Sequence, residues 1–217
     1  MITGVLEKFE KYKELAVASV VIFLCLVLVA TFPVSDIVQS VSRSIFFLII
    51  LPILYIKFIL KENLAAWGWN LGNRKQGLFL SVAAFFLGLV IFYLLIRFTS
   101  FSSHYQIDSS VKTNFFLFLL YELFFLNIFF FAQEVFFKSF VLFVFRKYAY
   151  WSVIIQAGMY FLLLIVSKNF SFQTSPFMFI SLLGGWLAYK TKSFFYSYIF
   201  GLLFIIILDA YIIHLVK

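Results

Sequence analysis

Apolar positions along this chain neither alternate nor return every third or fourth residue; they run together. Continuous apolar stretches cover residues 15–32, 44–60, 77–96, 114–131, 135–145, 151–166, 176–189 and 193–216. A helix needs about 20 such residues to cross a membrane, so the longer runs predict spans and the shorter ones rely on interfacial flanks. Runs of this kind, with few turn residues inside, do not fit the alternating pattern of a membrane β-barrel. Backbone groups in hydrocarbon must then be satisfied within each segment, which leaves helices. The fold expected is an all-α polytopic transmembrane bundle of seven or eight spans.

The polar punctuation fits that reading. The first 14 residues, with Glu7, Lys8, Glu10, Lys11, Lys13 and Glu14, predict an interfacial helical lead-in. The run from Leu15 to Phe32 is long for a signal peptide core and is followed by further spans, so it predicts an uncleaved first helix that Pro33 ends. Trp67-Gly68-Trp69-Asn70-Leu71-Gly72-Asn73 predicts an interfacial turn with an aromatic belt, and Thr99 to Ser110, containing His104, an exposed loop. No linker separates two domains, so residues 1–217 form a single integral membrane domain.

Residues 114–145 admit two readings. At 1.5 Å per residue the stretch would run to about 48 Å, long for one untilted crossing. Two spans with a break near Ala132-Gln133 are one solution, and one long tilted helix is the other. With the N-terminus inside, two crossings place 9 Lys/Arg inside and 7 outside, whereas one crossing gives 11 and 5. The positive-inside rule favours the single helix, and length favours the break.

Composition narrows the function classes. Hydrophobic residues make up 65% of the chain and charged residues 12%, about half the charged share of soluble domains. The net charge of +8 is accounted for by basic loops facing anionic lipid, not by nucleic acid. A single cysteine, Cys25, excludes an internal disulfide and a four-ligand thiolate metal site.

Polar residues at membrane depth are costly unless paired or lining a cavity. Lys57 is near enough to a span end to snorkel, and Gln156 is suited to bonding between helices. Glu122 and Asn127, five apart, share no face; Asp209 and His214 fall near the chain end, where an interfacial position is open to them. Glu134 and Lys138 are spaced i,i+4 with the carboxylate first, the better orientation for a structural ion pair. Gly184, Gly185, Ala188 and Gly201 predict close helix packing. Glu122, Asn127, Tyr160, Gly184, Gly185 and Asp209 are candidates to line a cavity.

Taken in order, these features resemble the CPBP family of intramembrane proteases, which includes the CAAX prenyl endopeptidases and Abi proteins. Gln133-Glu134-Val135-Phe136-Phe137-Lys138 matches the family's double Glu followed by three residues and Arg. Trp151 leads into a helix where Tyr160 and Leu164 match F-x-x-x-H. Gly184-Gly185-Trp186 and Thr191-Lys192-Ser193 follow in the family's order, and Gly201 and Ile205 match its final His and Asn/Asp. Shifting the last helix by one turn pairs Ile205 with the His and Asp209 with the acid. Upstream, Ala66-Trp67-Gly68-Trp69 followed by Gly77 resembles the family's approach to its third span. The likeness in layout runs from about residue 60 to residue 208, and implies N-terminal spans over 1–112 and a CPBP-like four-helix core over 113–217.

The resemblance implies metalloprotease-like chemistry, yet the decisive letters differ. Gln133 stands where the first Glu belongs, and an amide is no general base. Leu164, Gly201 and Ile205 supply no ligand atoms. The expectation is therefore a non-catalytic CPBP-like protein without cofactor, in a bacterial cytoplasmic membrane with its N-terminus cytoplasmic. It would bind or scaffold a membrane protein, peptide or lipid. Two alternatives stand beside it: an active peptidase with a rearranged site, whose zinc would fall to Glu122, Glu134 and Asp209, and a transporter or channel subunit.

Overall fold

The computed structural model describes residues 2–105, 111 and 114–216, and the side chains of 13–215 among these except residue 173. Every regular element among the described residues is helical. We number seven main helices: α1 (Ile2–Thr31), α2 (Ile37–Ile59), α3 (Arg74–Phe98), α4 (Phe115–Val144), α5 (Trp151–Val166), α6 (Ser175–Thr191) and α7 (Phe195–Val216). Five of them, α1 to α4 and α7, are long and apolar enough to cross a membrane. From Ile2 on, the lead-in is helical backbone within α1; the side chains of its first charged residues lie outside the described set.

Local chemistry sets the helix ends. α1 stops at Thr31, two residues before Pro33. Asp36 caps α2 by accepting from the Gln39 N–H, Asn73 caps α3 by accepting from Gln76, and Asn114 caps α4 through Phe116 and Leu117. Each satisfies backbone donors that the first turn leaves without partners. α2 continues through the buried Pro52, whose ring cannot accept the regular helical pattern. Just before it, Phe46–Ile50 opens into a π turn, and the Leu51 N–H donates to Phe46 O.

The stretch 114–145 is one helix. No break forms at Ala132-Gln133; residues 127–134 are regular α-helix and run directly into a π turn at Val135–Val141. With neither Gly nor Pro in the segment, nothing in the backbone interrupts it. Its 30 residues span about 45 Å, which a bilayer accommodates by tilt.

Two apolar clusters fill the interior. One joins α1, α2, the second half of α4 and α5 through Ile22, Cys25, Ile56, Phe136, Phe137, Phe140 and Leu164. The other joins α3, α6 and α7 through Phe92, Ile180, Leu187, Phe204 and Ile205, with Phe130 from α4. α6 packs against α3, α4, α5 and α7 and so sits at the centre. Many large side chains point outward, Phe98 at 78% exposure and Phe115 at 73% among them. Such a surface is unsuited to water and matched to lipid.

Two connectors expected at the surface turn inward. Trp67 is buried beneath Phe140, and Trp69 packs edge-on against Phe194 and Phe131, so this pair is not a lipid-facing belt. Ser139 Oγ donates to Trp67 O, and Gly68, in the left-handed region, lies where a side chain would press on Phe143. Within Thr99–Ser110, residues Phe101–His104 form a helical turn that drives Phe101, with no exposed surface, into the second cluster, and Tyr105 follows it. Residues 106–110 of that expected loop lie outside the described residues.

Candidate functional site

Lys138 Nζ lies 2.7 Å from Glu134 Oε1, with the two residues 3% and 1% exposed. Both sit at the junction where α4 passes from regular helix into its π turn, within the half of α4 nearest the chain's basic loops. Away from water, either charge alone would carry a penalty of several kcal/mol, and contact offsets much of it. The second oxygen, Glu134 Oε2, makes no hydrogen bond among the described residues.

Three further helices bring polar groups to this pair. From α5, Gln156 donates through Nε2 to Ser181 Oγ of α6 at 3.0 Å. The amide fits because residue 185 is glycine: a Cβ there would collide with Gln156 Oε1. A Cβ at Gly184 would likewise meet Ser197 Oγ of α7, and would stand 3.4 Å from Lys138 Cε. The glycine pair therefore makes room for polar groups of α4, α5 and α7 around α6. Tyr160 is buried beside them and stacks edge-on against Phe137 at 5.2 Å.

A second polar group lies toward the other end of α4. Glu122 is wholly buried beside Asp209 on α7, and neither of its oxygens makes a hydrogen bond among the described residues. Tyr105 donates its hydroxyl to Asp209 Oδ1 at 2.6 Å. Two carboxylates in contact repel, and a bond forms between them only when one carries a proton. Asp209 therefore faces the interior, not an interface. Asn127 stands apart from this group: its Oδ1 accepts from Tyr198 and its Nδ2 donates to Leu123 O.

The candidate cavity-lining residues thus divide, Gly184, Gly185 and Tyr160 around the ion pair, Glu122 and Asp209 at the acid pair. The family-matched positions divide as well. Leu164 belongs to the first apolar cluster, Ile205 to the second, and Gly201 receives the Phe130 ring where a side chain would stand. Gln133 is half-buried beside Glu134. Zinc shared by Glu122, Glu134 and Asp209 does not fit, because twelve residues along one helix separate the two glutamates by about 18 Å. Among the described residues no three His, Cys, Asp or Glu side chains come together as a metal site would need.

The chain matches no protein-family model, no curated protein and no solved structure. Sequence reasoning found the ion pair and Gln156, but missed Ser181 and Ser197 as their neighbours and Tyr105 beside Asp209. Tyr105 and Asp209 are 104 positions apart, and no local pattern links them.

Proposed function

We propose that the chain is a seven-span membrane protein of CPBP-like layout that does not hydrolyse peptides and works by binding a membrane protein, peptide or lipid. The observation that carries this reading is the 2.7 Å contact between Lys138 and Glu134 in a buried setting. Glu134 is the carboxylate that matches the family's motif, and one of its oxygens is held by an ammonium. Peptide hydrolysis needs a base for water and a group for the developing oxyanion. Gln133 cannot be the base, and Leu164, Gly201 and Ile205 have no group to bind metal or donate a hydrogen bond.

Counting α4 as one crossing and α5 and α6 as short crossings gives seven alternating passes. The basic residues then divide 11 to 5 in favour of the end that carries the N-terminus. By the positive-inside rule that end is cytoplasmic. The test is to purify the protein, assay prenylated and unprenylated membrane peptides, and measure bound metal. The expected result is no cleavage, with a membrane partner retained through purification. Cleavage abolished by Glu134→Gln, or stoichiometric zinc, overturns the reading.

The Glu122, Asp209 and Tyr105 group favours a second reading, a transporter or channel subunit, because ionisable groups inside a membrane bundle mark ion and proton pathways. Proton or cation flux into liposomes containing the protein, lost in Asp209→Asn, would select it over the binding role.

A further inference from the structure

At the basic end of the bundle a cleft of about 600 Å³ opens between the 65–70 connector and the C-terminal ends of α4 and α6. Its wall is apolar where Leu142, Phe143 and Ala66 contribute, and Arg146, Lys190 and Lys192 stand among its lining with no acidic side chain. We infer that this cleft binds the phosphate group of an anionic phospholipid.

Two of the three cations are held in place. Arg146 Nη1 donates to Ala66 O at 3.2 Å, which uses one of five guanidinium donors and anchors the group at the cleft. Lys190 Nζ donates to Tyr150 at 2.8 Å and lies 4.9 Å from the centre of that ring. Lys192 caps α6 in the left-handed conformation, φ 54°, where glycine is the usual residue.

Cations at helix C-termini also have a simpler role, compensating the helix dipole. Aligned peptide dipoles place about half a negative charge at each C-terminus. The ends of α4 and α6 together account for about one unit against three formal positive charges, so a surplus of about two remains. Two acids, Glu14 and Glu62, line an adjoining cleft that shares Phe143 and Arg146 and adds Lys147, and Glu62 accepts from Trp67 Nε1 at 2.7 Å; Lys190 and Lys192 belong to the first cleft alone. A surplus of positive charge above an apolar wall, at the level where the helices end, suits a lipid phosphate with its glycerol and upper chain against Leu142 and Phe143. Basic pockets between membrane helices bind anionic headgroups in this way. The size agrees, since small-molecule sites run from about 300 to 1,000 Å³.

The test is native mass spectrometry of the full chain, released from micelles containing equal phosphatidylglycerol and phosphatidylcholine. Phosphatidylglycerol should be retained about fivefold over phosphatidylcholine, and the triple variant Arg146→Gln, Lys190→Gln, Lys192→Gln should bring the two to parity. Lys57→Gln with Lys61→Gln, on the same end but outside the cleft, should leave the preference intact. Should the triple variant fold poorly, Lys190→Gln with Lys192→Gln leaves the Arg146 anchor in place and should still lower the preference. Equal retention of both lipids by the unaltered protein overturns the proposal. So does an equal loss in the Lys57 and Lys61 variant, which would indicate diffuse surface charge. Displacement of phosphatidylglycerol by millimolar inorganic phosphate, with a raised melting temperature in phosphatidylcholine alone, would assign the cleft to a soluble anion and overturn the lipid.

Discussion

Two buried polar groups share one helix and solve opposite electrostatic problems. Near the basic end of α4, Glu134 and Lys138 place unlike charges 2.7 Å apart, and the pair is neutral as it stands. Twelve residues earlier Glu122 meets a like group, Asp209, with the hydroxyl of Tyr105 donating to the latter. There a single proton between the acids would relieve the repulsion and leave one negative charge, which the Tyr105 hydroxyl faces. The first arrangement balances its charge internally, though Glu134 Oε2 has no hydrogen bond among the described residues, and losing either partner exposes the other. The second sets two acids side by side and leaves both Glu122 oxygens without a hydrogen bond among the described residues. The contrast ties the first group to stability and leaves the second as the group with chemistry to offer.

The largest effect expected is on the ion pair. Lys138→Met strands a buried carboxylate and should cost about 3–5 kcal/mol, whereas adding Glu134→Leu should recover most of the loss. Unfolding of the four proteins of that cycle in detergent gives the coupling, and a value near zero would remove the distinction between the groups. Tyr105→Phe should cost about 1.5–3 kcal/mol, the range for a hydrogen bond to a charged group, read from the same unfolding curves. Gly184→Ala should lose about 1–3 kcal/mol by pressing on Ser197, and Ser197→Gly should relieve it; Gly158→Ala, with open space around it, should be neutral or slightly stabilising. The sharpest test has the smallest effect. Glu122→Gln supplies an amide donor where the shared proton stood, so stability should change by less than about 1 kcal/mol. Glu134→Gln leaves Lys138 without its counter-charge and should cost several times more.

The ion pair was legible in the sequence because helical periodicity alone sets an i,i+4 contact. The acid pair was not. It needs α4, α7 and the turn after α3 to meet, and Asp209 near the chain end gave no sign of facing inward. The two tryptophans of the 67–73 connector show the same limit. Their type suggested an interfacial belt, but the close approach of the connector to Ser139 and Phe194 turns them into the core.

By itself the sequence determined that this is an all-helical membrane protein and set most helix ends. Continuous apolar runs leave the backbone no partners but its own, and Pro33, Asp36, Asn73 and Asn114 act within a few residues of where they stand. Helix ends expected from those runs moved by seven residues at most, with α2 beginning at Ile37 where residue 44 was expected. Only the tertiary structure decided that residues 115–144 form one helix, since length and charge opposed each other and neither sets the tilt. Tertiary structure also decided which polar groups meet. In lipid no hydrophobic force selects one helix face over another, so close packing at glycines and hydrogen bonds between helices choose the neighbours, and those are properties of the assembled bundle.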